Sequence, residues 1–136
     1  FRGVDVMGGL QFAVKVLGVR HQAMVQNEIE VLRRLNHEGI IRLLAFAQGQ
    51  VKGVARSCLV YELGVLGNLQ AHLQENVLAE ELTWVRRLRV TRGVAAALLY
   101  LHRSGVFHRD VTSENIVLFA DFKPKLIDCG LSLLIQ

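Results

Sequence analysis

The feature that most constrains this chain is a short polar segment that carries acid and amide side chains at fixed intervals. The segment begins with His108, Arg109 and Asp110, Asn115 follows five residues after Asp110, and an Asp-Cys-Gly motif at 128–130 begins thirteen residues after Asn115. The residues on either side of the segment are apolar, which favours a loop held between short strands. A carboxylate on such a loop can orient a hydroxyl nucleophile, and Asn and Asp oxygens can bind Mg²⁺ beside a nucleoside triphosphate. The pattern therefore predicts a phosphoryl-transfer site.

A lysine in an apolar strand and a glutamate in an amphipathic helix form a second predicted part of the site. Lys15 ends the segment Phe-Ala-Val-Lys, and Glu28 lies thirteen residues further on. Glu30 is the alternative partner for Lys15. We favour Glu28 because Leu32 and Leu35 lie four and seven residues after it, on the same helical face. That apolar face is the one expected to look into the protein.

The order and spacing of these motifs resemble those of eukaryotic protein kinase catalytic domains. Three further segments, at 34–44, 59–62 and 82–102, are similar to plant receptor-like and Pelle-type serine/threonine kinases. The resemblance covers nearly the whole chain. It implies an incomplete α+β kinase fold that binds ATP and Mg²⁺ and transfers the γ-phosphate to a Ser or Thr hydroxyl of a protein substrate.

The resemblance also implies a catalytic role for five residues. Lys15, held by Glu28, contacts the α- and β-phosphates, and Asp110 aligns the attacking hydroxyl. Mg²⁺ is held by Asn115 and Asp128. Arg109 recognises a phosphorylated residue in the activation loop. The implied catalytic set is therefore Asp110, Lys15, Glu28, Asn115 and Arg109, with Asn115 and Asp128 as metal ligands.

A second implied group surrounds the nucleotide base. Tyr61 stands at the gatekeeper position of the family, and the carbonyl of Glu62 and the amide of Gly64 face the adenine. Ala13 and Val117 complete the apolar part of the site. Together with the lysine, the implied nucleotide-binding set is Ala13, Lys15, Tyr61, Glu62, Gly64 and Val117.

Two residues depart from the family pattern. Thr112 stands where most serine/threonine kinases have a lysine that touches the γ-phosphate. The absence of that lysine is expected to weaken transition-state stabilisation. Cys129 replaces the Phe of the D-F-G motif and removes a large apolar group. We expect Cys129 to stack with Leu32, Leu43 and His108 between the lobes, with His108 in a structural role.

Hydrophobic patterning and turn residues predict the elements of the fold. We expect a small lobe over 1–63, a hinge at 64–67 and the first part of a large lobe over 68–136. In the long helix, apolar residues at Trp84, Leu88, Ala95 and Leu98 predict one apolar stripe. Strands are predicted at 2–6, 11–17, 41–48, 57–63, 116–119 and 125–127, helices at 22–35, 68–74 and 84–103, and hairpin connections at 7–9 and 49–56.

The length of 136 residues suggests a fragment of a kinase domain, with one modest core. No G-x-G-x-x-G loop precedes Lys15 and no A-P-E motif follows Gly130, so we expect little or no kinase activity from the chain alone. The alternative is a pseudokinase or truncated module that acts by binding a nucleotide or a partner kinase. A third alternative is a gene fragment without selected function, whose long helix would leave an exposed apolar stripe.

Composition excludes several other classes. Sixteen basic and twelve acidic residues give a net charge of +4 without a basic cluster rich in aromatic residues, so we expect no nucleic-acid binding. Two cysteines offer no disulfide framework and favour a reducing compartment. The longest apolar run, at 94–101, is too short to span a bilayer. We expect a cytoplasmic domain, either free or as part of a membrane receptor whose spanning helix lies outside this chain.

Overall fold

The computed structural model describes residues 2–3 and 11–134. A four-stranded antiparallel sheet, in the order β1-β2-β4-β3, forms the first half. The hairpin connection predicted at 7–9 and most of the strand predicted at 2–6 lie outside the described residues. The strands of this sheet are β1 (Arg2–Gly3), β2 (Phe12–Gly18), β3 (Leu43–Val51) and β4 (Val54–Glu62).

The connection between β3 and β4 is much shorter than the sequence indicated. Only Lys52 and Gly53 separate the strands, and both have positive φ angles, 50° and 75°. Two-residue hairpin turns require such angles because their twist matches that of the flanking strands. The predicted loop over 49–56 was therefore wrong: its polar residues continue the two strands on an exposed face.

One helix, α1 (Gln22–Arg34), packs against this sheet. Its buried face includes Val25, Ile29 and Leu32, and Glu28 lies among them at 2% exposure. The helix ends one residue before its predicted end. The face that the sequence assigned to Glu28 is thus the buried one.

The second half is mainly helical and carries two small antiparallel sheets, β5-β7-β8 and β6-β9. It is joined to the first half by backbone hydrogen bonds from Ile41 N to Leu126 O (2.9 Å) and from Leu126 N to Gly39 O (2.8 Å). The α+β class is confirmed. The elements are β5 (Gly67–Asn68), α2 (Leu69–Gln74), α3 (Asn76–Glu81), α4 (Trp84–Arg103), β6 (Val106–Phe107), β7 (Ile116–Leu118), β8 (Pro124–Leu126) and β9 (Leu133–Leu134).

The bounds of the long helix α4 match the prediction, and its predicted apolar stripe lies mostly on the exposed side of the helix. Trp84 and Leu88 are 72% and 53% exposed, and the buried residues are Val90, Ala97 and Leu101. The buried face is the one that meets β6 and β8. Since apolar residues occur on several faces of α4, periodicity alone did not identify the face that packs.

Candidate functional site

A cleft of about 440 Å³ lies between the two halves of the molecule. Strands β2 and β4 and helix α1 contribute its upper wall, and β7 with the segment after β8 contributes its lower wall. Asp128 and Glu114 lie at its polar side. The cleft is lined by all six residues of the expected nucleotide-binding set, Ala13, Lys15, Tyr61, Glu62, Gly64 and Val117.

The side chains of Lys15 and Glu28 meet in the cleft wall. Lys15 Nζ lies 3.0 Å from Glu28 Oε2, and the hydroxyl of Tyr61 donates to Glu28 Oε1 at 2.8 Å. Both carboxylate oxygens of this buried residue therefore have a donor, as a buried charge requires. Glu30, the alternative partner, is exposed and pairs with Arg34 on its own helix.

These contacts change the proton affinities of both partners of Glu28. Burial lowers the pKa of Lys15, but the negative charges and hydrogen bonds of Glu28 and Asp128 outweigh it, so the pKa is raised above its ordinary value. Burial, followed by the nearby charge of Glu28, raises the pKa of Tyr61 strongly. Lys15 is thus held as a cation and Tyr61 as a neutral donor.

Asp128 is the second carboxylate in contact with Lys15. Its Oδ1 accepts a hydrogen bond from Lys15 Nζ at 2.9 Å, so one ammonium group bridges two carboxylates. Asp128 has a left-handed backbone conformation (φ 62°, ψ 65°), which is uncommon for a residue with a side chain. The Ile127 amide donates to Asn115 O at 2.9 Å and brings the two predicted metal ligands close together.

The loop that carries Asp110 is held by Asn115. Asn115 Nδ2 donates to the Asp110 carbonyl (3.0 Å) and to its carboxylate oxygen Oδ2 (2.8 Å). Thr112 Oγ1 accepts a hydrogen bond from the backbone amide of Asn115 at 3.3 Å, so the threonine hydroxyl caps the turn within the loop. Asp110 and Asn115 lie beside the cleft and do not line it.

His108 supports this loop from below and is 2% exposed. The Asp110 amide donates to His108 Nδ1 at 3.3 Å, so the tautomer with the proton on Nε2 allows the ring to donate to Ile127 O at 2.9 Å. The ring therefore joins the loop to the strand end that precedes Asp128. Its surroundings suit a structural role.

The structure does not bring every predicted residue into the cleft. Arg109 is exposed, has a φ angle of 68° and forms no ion pair within the described residues. Cys129 is fully buried below the cleft, and its burial raises the pKa of the thiol to about 12. The thiol is therefore protonated and buried, with a volume far smaller than that of Phe.

The oxygen atoms beside the cleft suit a magnesium ion that is bound together with phosphate. Asp128 Oδ2 and Asn115 Oδ1 accept no hydrogen bond from the described part of the chain. The same part contains no cluster of three or more His, Cys, Asp or Glu side chains that could hold a metal ion. Mg²⁺ commonly takes one or two protein ligands and completes its shell with water and substrate phosphates. The two residues fit that mode of binding.

Sequence reasoning missed two polar contacts around the cleft. Lys125 Nζ donates to Glu62 Oε1 at 2.7 Å, and the same oxygen accepts from the Arg42 amide at 2.8 Å, which fixes the end of β4. Asn27 donates to backbone carbonyls after Asp128. The sequence carried no local signal for Asn27, because its contacts form only where the segment after Asp128 folds back onto α1.

Comparison with known proteins is consistent with this geometry. The family model described as protein kinase domain matches residues 1–136. Receptor-like serine/threonine-protein kinase ALE2 of Arabidopsis thaliana is 36% identical over 91% of this chain and 16% of its own length. From the same organism, receptor-like protein kinase ANXUR2 is 35% identical and probable L-type lectin-domain containing receptor kinase II.1 is 36% identical, each over 97% of this chain.

The chain spans only 15% and 20% of the lengths of the last two relatives. No helix among the described residues is both long and apolar enough to cross a membrane. The family match nevertheless covers the full sequence and includes both halves that form the cleft. The chain belongs to the protein kinase domain family and is similar to plant receptor-like kinases.

Proposed function

We propose that the chain carries the Mg²⁺·ATP site of a serine/threonine protein kinase, and that the whole protein transfers the γ-phosphate of ATP to a Ser or Thr hydroxyl. The main support is the contact of Lys15 with both Glu28 (3.0 Å) and Asp128 (2.9 Å) at the polar side of the cleft. This arrangement puts a fixed cation next to a carboxylate that has one free oxygen. A triphosphate with a magnesium ion is the ligand that matches both charges.

Each residue has a distinct task in this proposal. Lys15 neutralises phosphate charge, and Glu28 keeps the ammonium group in place. Asp128 and Asn115 hold Mg²⁺, which neutralises charge that develops on the phosphates. Asp110 accepts a hydrogen bond from the substrate hydroxyl and orients it. Because Asn115 Nδ2 already holds the Asp110 carboxylate at 2.8 Å, that carboxylate is preoriented.

The apolar part of the cleft suits a nucleotide base. Ala13 and Val117 approach it from opposite walls, and Gly64 lies at the connection between the halves. A Cβ atom at Gly64 would lie 3.0 Å from Val117 Cβ and 3.2 Å from Leu118 O, so a larger residue would crowd this wall. We propose residues 1–63, 64–67 and 68–136 as small lobe, hinge and first part of the large lobe.

Nucleotide binding tests the proposal without any requirement for turnover. Saturating ATP with Mg²⁺ should raise the melting temperature of the chain, because a ligand at one hundred times its dissociation constant stabilises by about 2.7 kcal/mol. Lys15→Met should remove most of this shift. Lys52→Met, at the exposed β3–β4 turn, is the matched control. An equal shift in all three proteins, or none in the unaltered chain, would refute the proposed site.

A second candidate function is nucleotide or partner-kinase binding without phosphoryl transfer. Thr112 favours it, because its hydroxyl caps the turn at Asn115 (3.3 Å) and supplies no positive charge for the γ-phosphate. A Thr112→Lys variant that gains transfer to a peptide substrate at unchanged ATP affinity would support this candidate. Measurable and equal transfer by the two proteins would favour the first.

The expected partners and location follow from the first candidate. We propose a protein substrate that presents Ser or Thr, and a place on the cytoplasmic side of the cell, where ATP is available. Similarity to receptor-like kinases supports a role in signalling downstream of a receptor. Fractionation of cells that express the full-length protein, with protease protection of this domain, would test the location.

A further inference from the structure

The side chain of Asn27 ties helix α1 to the backbone that follows Asp128. Its Nδ2 atom lies 3.0 Å from Gly130 O, 2.9 Å from Ser132 O and 3.5 Å from Cys129 O. The amide group has two hydrogens, so the carbonyls of Gly130 and Ser132 each accept one well-formed bond. The contact joins residues more than one hundred positions apart in the sequence.

The tethered segment has an unusual backbone course. Asp128 is in the left-handed region, and a 3-10 turn over Cys129–Leu131 follows, closed by a bond from Ser132 N to Cys129 O at 3.0 Å. Residues with side chains stay in that region only where their surroundings hold them. Asn27 binds within the turn and again just after it, so it fixes the part of the chain that sets the direction of Asp128.

Helix α1 therefore holds Asp128 in two ways. Glu28 acts through the ammonium group of Lys15, which contacts the Asp128 carboxylate at 2.9 Å. Asn27, the preceding residue on the helix, acts through the backbone. The side chain of Cys129 is small, and the two hydrogen bonds of Asn27 supply a directional restraint between the helix and the segment.

We propose that Asn27 is a positioning residue that sets the carboxylate of Asp128 for Mg²⁺ by holding residues 128–132 against α1. The consequence at the metal rests on the proposed function, whereas the tether itself does not. Groups that orient a metal ligand typically change metal affinity by about 10–100-fold when they are removed. Removal of the Asn27 side chain should therefore weaken Mg²⁺ binding more than it weakens binding of the nucleotide base.

Two substitutions remove the tether from the full chain. Asn27→Leu keeps a similar side-chain volume and lacks donors, and Asn27→Ala serves if the Leu variant does not fold. Gln26→Leu is the matched control, since Gln26 is the preceding residue on α1 and is exposed. Hydrogen–deuterium exchange without nucleotide measures how firmly residues 128–132 are held. ATP binding at a series of Mg²⁺ concentrations measures the apparent affinity for the metal ion.

The proposal predicts faster amide exchange at 128–132 in the Asn27 variants alone. It also predicts that the Mg²⁺ concentration for half-maximal ATP binding rises about tenfold. The affinity for ATP without Mg²⁺ should change by no more than about twofold, which corresponds to a change of less than about half a kcal/mol in binding free energy. Unchanged exchange at 128–132 would overturn the tether, and faster exchange with an unchanged Mg²⁺ dependence would overturn the positioning role. Absence of ATP binding by the unaltered chain at every Mg²⁺ concentration would overturn the proposed function and the metal role together, and exchange would then decide the tether alone.

Discussion

The hydrogen bond from Tyr61 to Glu28 gives the sharpest stability prediction. The bond is 2.8 Å long, and its acceptor is a carboxylate at 2% exposure whose other oxygen is occupied by Lys15. Tyr61→Phe removes only the hydroxyl and leaves one carboxylate oxygen buried without a donor. Hydrogen bonds to charged groups contribute about 1.5–3 kcal/mol, so we expect a loss of about 2 kcal/mol in the free energy of unfolding.

Urea denaturation followed by far-UV circular dichroism measures this loss, because the chain contains the helices α1 and α4, whose signal disappears on unfolding. The melting temperature should fall by roughly 8 °C, at about 4 °C per kcal/mol for a domain of this size. Tyr100→Phe is the matched control, since the Tyr100 hydroxyl accepts only an exposed backbone bond from Asn36 N at 2.9 Å. That variant should lose about 0.5–1 kcal/mol.

A double-mutant cycle separates the bond from other effects of the hydroxyl. In the Glu28→Gln background, Tyr61→Phe should cost at least about 1 kcal/mol less than in the unaltered chain, because the acceptor is no longer charged. A loss for Tyr61→Phe no larger than that for Tyr100→Phe, or an equal loss in both backgrounds, would refute the buried network.

Two further predictions concern the thiol below the cleft and the packing of α4. In a Cys58→Ser variant, alkylation of Cys129 should be negligible at pH 8 and should rise about tenfold per pH unit while the protein stays folded. The reason is that only the thiolate reacts, and the pKa of this thiol is raised to about 12. Rapid labelling of Cys129 at pH 8, detected by mass spectrometry, would contradict this. Gly93→Ala should destabilise by about 1–3 kcal/mol in urea, since its Cβ would lie 2.5 Å from Pro124 Cγ, whereas Gly49→Ala, with open space around its Cβ, should have a much smaller effect. Equal stability of the two alanine variants would show that the contact at Pro124 relaxes without cost.

Local signals in the sequence predicted several elements well. The bounds of α4 were correct because its ends depend on neighbouring residues: Thr83 Oγ1 accepts from the Arg86 amide, and Gly105, with a φ angle of 70°, follows the helix. The helix α3 was missed because it is only six residues long and lies between two other helices. No side chain forms a cap hydrogen bond at its first turn, so no capping residue marks its start. The pair β6-β9 was missed because two-residue strands leave no periodic pattern.

Contacts between distant segments were harder to predict. The residues of the cleft could be named in advance because the chain resembles protein kinases, but nothing in the sequence alone shows that Lys15 and Glu28 meet. The buried face of α4 depends on where β8 packs, and the bonds of Asn27 depend on the turn after Asp128. These features arise from tertiary packing and have no signal within one element.

The most direct test of the central claim is the position at which a reactive ATP acyl-phosphate labels the chain. Such a probe acylates a lysine amine that lies next to bound phosphates, and the chain has four lysines, Lys15, Lys52, Lys123 and Lys125. Peptide mass spectrometry should find Lys15 acylated and this labelling blocked by excess ATP with Mg²⁺. Labelling spread over all four lysines, or labelling of Lys15 that ATP does not reduce, would contradict a nucleotide site in this cleft.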